Sequence, residues 1–133
     1  MSDPAVMSGK RPDTAGRVAR LLPELKSDLV RLARISSVAF PSFPEEPVLE
    51  AYELVSELFR EAGVTNVRAL RLADTPPVVV GEIPPPDGAP TVLLYAHYDV
   101  QPPGDRALWR TPPFEPTEAD GAIYGRGVAD DKS

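Results

Sequence analysis

The chain has 133 residues, enough for one domain and short for two. Its net charge of −6 argues against a nucleic-acid partner, which requires a basic face, and no apolar run approaches the ~18 residues of a membrane span. With no cysteine, disulfides, thiolate zinc sites and cysteine nucleophiles are excluded.

Residues 1 to 13 are polar and small, with Asp3, Lys10, Arg11 and Asp13 and no apolar h-region. They read as a disordered leader rather than a secretion signal, so a cytoplasmic protein is the expectation. Residues 14 to 133 are expected to form the folded portion. Asp13 or Thr14 can cap a first helix whose apolar stripe is Val18, Leu21, Leu22, Leu25, Leu29, Leu32 and Ala33. Pro23 lies inside that stripe and is expected to kink or split the helix, because it lacks an N–H and clashes one turn back. After a link from Ser36 to Pro44, Pro47 suits the first turn of a second helix. Its apolar face is Val48, Ala51, Leu54, Val55, Leu58, Phe59 and Ala62, and Gly63 is its left-handed cap.

Three strands are then expected, Asn66 to Leu72, Pro77 to Ile83 and Thr91 to Ala96. The turn Pro84-Pro85-Pro86-Asp87-Gly88 should pair the second with the third, antiparallel. The third is apolar on both faces, which suits a central strand covered by helices. The 17 prolines cluster between such apolar runs, so they punctuate loops and do not form a low-complexity tract. A long loop from Gln101 to Pro113 carries Trp109, the only tryptophan. A hairpin around Asp120-Gly121 follows, with arms Phe114 to Glu118 and Ala122 to Gly125. Helices followed by buried strands indicate an α/β fold with a mixed sheet flanked by helices.

The chemistry concentrates at the end of the third strand and the end of the chain. His97, the single histidine, is followed two residues on by Asp99, and period-two alternation puts both on one strand face. Neutral imidazole is a common zinc ligand, and its second ring nitrogen normally engages an oxygen acceptor, a duty within reach of Asp99. Asp130 lies on a turn after Gly125 and Gly127, where backbone can approach closely, and its two carboxylate oxygens suit a bridge between two cations. Each feature also has a structural reading. A solitary histidine can be a packing residue, Asp130-Asp131 can complement a helix N-terminus, and Trp109 and Phe114 can be loop anchors. Together, in this order, they point to a metallohydrolase.

Residues 91 to 133 resemble the M20 family of zinc-dependent metallopeptidases. The group includes carnosinase-like dipeptidases, acetylornithine deacetylase, succinyl-diaminopimelate desuccinylase and glutamate carboxypeptidases. The matching residues are His97-Tyr98-Asp99-Val100-Gln101-Pro102, Trp109, Pro113-Phe114, and Tyr124-Gly125-Arg126-Gly127-Val128-Ala129-Asp130-Asp131-Lys132. Val100-Gln101-Pro102 and Asp130-Asp131-Lys132 look most like the dipeptidase branch. Ser133 departs from the glycine usual after that lysine.

The resemblance implies the N-terminal part of a zinc-peptidase-like catalytic domain holding two zinc ions. His97 would be a terminal ligand of one ion, Asp130 the bridging carboxylate, and Asp99 the catalytic-site residue that orients His97. A cis Asp130–Asp131 peptide is also implied. The substrate would be a dipeptide or, alternatively, an N-acyl amino acid, and the complete enzyme a possible homodimer. The general-base glutamate, the remaining ligands and the lid or dimerisation domain would lie beyond Ser133. Two ligands are fewer than the three that a catalytic zinc takes from protein. The 133-residue chain by itself is therefore expected to bind zinc weakly and to be inactive. A further alternative is a truncated, inert product serving as a binding or structural fragment.

Overall fold

The computed structural model describes residues 13–133, so most of the expected leader lies outside the described residues. Helix α1 (Thr14–Arg34) starts at Asp13, whose side chain accepts a hydrogen bond from the Gly16 amide at 2.9 Å. Pro23 does not split it. The proline is exposed and removes a single N–H, and leucine, glutamate and lysine around it are good helix formers. The apolar stripe is only partly buried. Leu32 and Ala33 are in the core, while Val18, Leu21, Leu22 and Leu25 face solvent.

Helix α2 (Glu46–Glu61) begins with proline in its first turn and ends before Gly63, whose φ of 82° is the left-handed cap expected of it. Ala51 of α2 packs with Leu32 and Ile35 at the end of α1, and Leu54, Val55 and Tyr98 close over them. The helix also lies against strands β1 (Thr65–Leu70) and β2 (Val78–Glu82). There the absence of a side chain at Gly81 matters, since a Cβ would sit 2.4 Å from Val64 Cγ1.

β1 and β2 pair antiparallel with each other, Leu70 opposite Val78 and Thr65 opposite Glu82. The register slips between Thr65 and Arg68, where Asn66 adopts φ 50°, a conformation asparagine tolerates better than most residues. The expected pairing of β2 with a third strand does not occur. Pro84, Pro85 and Pro86 carry no N–H donors and hold φ fixed, so they interrupt the ladder instead of folding it back. Residues 91 to 96 have no strand partner among the described residues, and they are exposed rather than central. Leu93 is 91% and Tyr95 86% accessible.

The second hairpin forms as expected but with shorter arms, β3 (Thr117–Ala119) and β4 (Ala122–Tyr124). Asp120 and Gly121 both have positive φ, 51° and 77°, the signature of a type I′ turn. The α/β class holds: the described residues form two α-helices, two antiparallel hairpins and a parallel bridge between Val38 and Val100. That bridge positions the site.

Candidate metal centre

The stretch after α1 is the scaffold. The Val100 amide donates to the Ser37 carbonyl at 2.9 Å, and Ser37 Oγ donates to the Tyr98 carbonyl at 2.7 Å. Ser37, Val38 and Val100 are all buried, so these bonds form away from competing water. The Tyr98 hydroxyl donates to the Pro77 carbonyl, tying the same segment to the start of β2. Burial first, then the Asp99 carboxylate, pushes the Tyr98 phenol up to about 12.

His97 lies just before these anchors and Asp99 between them, and the two residues approach each other. His97 Nδ1 lies 3.0 Å from the Asp99 carbonyl oxygen and 3.4 Å from its carboxylate Oδ1. The nearer acceptor is thus the Asp99 main chain, with the carboxylate just behind it. A proton on Nδ1 leaves Nε2 with a lone pair, and Nε2 faces Asp130 Oδ1 at 3.3 Å. Two lone pairs at that distance repel unless a proton or a cation lies between them. Burial draws the His97 pKa down, but the Asp99 carbonyl and the carboxylates of Asp99, Asp131 and Asp130 outweigh it, and the net shift is upward.

Asp130 occupies a turn over residues 126 to 131, not a helix N-terminus. Its peptide bond to Asp131 is cis, as the resemblance implies. The carboxylate is 74% exposed and meets His97 through one oxygen, whereas neighbouring groups hold the turn. Asp131 Oδ2 accepts from the His97 amide at 3.2 Å. The Lys132 amide donates to the Gly127 carbonyl at 2.9 Å, and its buried ammonium donates to the Leu32 and Ile35 carbonyls at 2.8 Å each. Burial brings the Lys132 pKa down to about 8, with Asp99 and Glu50 opposing. Arg126, at the head of the turn, lies over the Trp109 ring at 5.1 Å, which moors the long loop.

All three expected site residues therefore converge. The motif assigns no structural duty to Ser37, Val38, Asp131 or Lys132, and their parts depend on contacts across the fold. The donor set fits zinc: one imidazole nitrogen and one carboxylate oxygen 3.3 Å apart. Two ligands about 2.0–2.2 Å from a tetrahedral ion are separated by about 3.3–3.5 Å. Among the described residues, no group of three or more His, Asp or Glu side chains is arranged to hold an ion.

The family model for peptidase family M20/M25/M40 matches residues 93–133. The similarity to the M20 family is concentrated in that segment. Succinyl-diaminopimelate desuccinylase of Bordetella pertussis is 42% identical over 85 residues, 64% of this chain and 19% of its own. The Coxiella burnetii enzyme of the same name is 56% identical over 45 residues, 34% of this chain and 12% of its own. Among solved structures, the Saccharomyces cerevisiae di-peptidase Dug1p superposes with a TM-score of 0.77 at 26% identity, covering 88% of this chain and 27% of that one. Human carnosine dipeptidase 1 gives 0.76 at 27% identity with the same coverage. The chain thus spans about a fifth of the first of these curated relatives, and its fold matches about a quarter of each of the two dipeptidase structures.

Proposed function

We propose that the protein contributes the first part of the metal site of an M20-type hydrolase that cleaves the amide bond of a dipeptide. The observation that carries this reading is the facing pair His97 Nε2 and Asp130 Oδ1 at 3.3 Å, inside the segment that matches the M20 family. In this reading His97 and Asp130 would be the residues of this chain that hold zinc, with His97 a terminal ligand and the exposed Asp130 carboxylate available to a second cation. The Asp99 carbonyl and carboxylate keep the His97 proton on Nδ1, so that Nε2 stays available as a ligand. Bound zinc would polarise the scissile carbonyl and activate water.

Two observations support the dipeptidase branch, the run Val100-Gln101-Pro102 and the superposition on two dipeptidase structures. A second reading, an N-acyl amino acid deacylase, draws on the desuccinylase relatives with their higher identity. Kinetic assay of the native, full-length gene product against dipeptides and N-acyl amino acids separates the two. Hydrolysis of dipeptides with kcat/KM well above that for acyl amino acids is expected, and the reverse preference selects the deacylase. Replacing His97 or Asp130 by alanine should abolish zinc-dependent turnover, and unchanged turnover in both would defeat the metal-site reading.

A further inference from the structure

The residues that face one another across the site are carried by segments more than 30 positions apart in the chain, yet both segments rest on one short stretch. The first, residues 98 to 100, is bonded to Ser37 and bridged to Val38. The second, the turn bearing Asp130, reaches the same stretch through one side chain, Lys132. Its Nζ donates to the Leu32 and Ile35 carbonyls, which also accept the Ile35 and Ser37 amides just past the end of α1, where a cation complements the helix dipole. The methylene stem lies over Gly127, where a Cβ would come within 3.0 Å of Lys132 Cδ and 2.7 Å of Val100 Cγ1. The turn thus approaches Val100 closely only because Gly127 has no side chain. Among the described residues the Asp130 side chain has no backbone donor, and it is mostly exposed, so its place is set by its neighbours.

We propose that Lys132 is a positioning residue: by pinning the 127–132 turn to the α1 terminus, it sets the Asp130 carboxylate against His97. In its consequence for zinc this rests on the metal-site reading above, but the positioning is a property of the chain alone. Lys132 does not reach the reacting atoms and acts through Asp130.

The test compares the native full-length protein with its Lys132→Met variant, which keeps the stem and loses the donors. Metal-free crystal structures report the His97 Nε2 to Asp130 Oδ1 separation, and chelator competition reports zinc affinity. The expected result is a separation widened by more than about 0.5 Å, with zinc affinity lowered about 10-fold or more. A folded variant that keeps the native separation overturns the proposal, even if its melting temperature falls, because the lysine would then only stabilise. Where methionine prevents folding, Lys132→Gln, which can serve a single carbonyl, is judged by the same separation. His97→Ala tests the metal reading independently. If it binds zinc like the parent, that reading fails, while the separation in the Lys132 variants still decides the positioning role.

Discussion

His97 is held between opposite demands. Its ring is partly desolvated, which disfavours the imidazolium, yet a carbonyl and three carboxylates surround it and favour the charge. Its folded-state pKa therefore lies above the ordinary 6.5. The sign follows from linkage. This group's contribution to the metal-free fold is fully present below pH 6.5 and is lost as pH rises through the raised value. Urea denaturation of metal-free protein from pH 5 to 9, run beside His97→Gln, should show that decline in the parent and its absence in the variant. An equal slope in both would assign the pH dependence elsewhere. In the metal-site reading proposed above, zinc would need the neutral imidazole, so its affinity should fall on acidification over the same range. Gly127 is the second sensitive residue. At φ 85°, with a Cβ position 2.7 Å from a methyl of Val100, itself 2% exposed, it has no room for alanine. Gly127→Ala should cost about 2 kcal/mol or more by denaturant titration, from left-handed strain plus overpacking.

Helix α1 shows how one element serves two purposes. Its C-terminal turns bury Leu32 and Ala33 and offer the carbonyls that hold Lys132, while its N-terminal half leaves Val18, Leu21, Leu22 and Leu25 exposed. That outer half is sustained by its cap and its own hydrogen bonds, and Pro23 deletes one of them. Pro23→Ala should therefore raise amide-exchange protection of residues 18 to 22, by up to the ~3 kcal/mol that a helix-interior proline costs, while global stability changes less. Lower protection in the alanine variant would mean the proline is favoured where it stands. The hairpins follow simpler local rules. Asp120-Gly121 supplies two left-handed residues in succession, and β3 and β4 follow from that turn. The three prolines after β2 remove donors in succession and redirect its pairing to β1.

At the scale of the whole molecule, the 133-residue chain carries its most apolar run on the outside. Val92, Leu93, Leu94 and Tyr95 are 73 to 91% accessible, and the backbone beside them is unpaired among the described residues. An extended apolar segment with free donors and acceptors is a template for edge-to-edge association. The isolated chain should therefore self-associate in sedimentation velocity as concentration rises, and Leu93→Lys with Tyr95→Lys should suppress this without lowering the melting temperature. A chain that stays monomeric at high concentration would show that the run is covered in solution.

Features decided within a few residues were legible before folding was considered. Helical periods, the Gly63 cap, the type I′ turn and the nearness of His97 and Asp99 follow from local spacing and φ preferences, and the motif singled out His97, Asp99 and Asp130 as candidates. Residues 91 to 96 depart from the expected central strand for the same reason: an apolar run states a need for burial, but not whether neighbours within the chain can meet it. Only the tertiary structure decided that the end of α1 anchors both halves of the site. Ser37 meets Tyr98 across 61 positions, and Lys132 meets Leu32 across 100. Such contacts have no local signature, because a buried serine or lysine is stabilised by whichever carbonyls the packed chain brings to it.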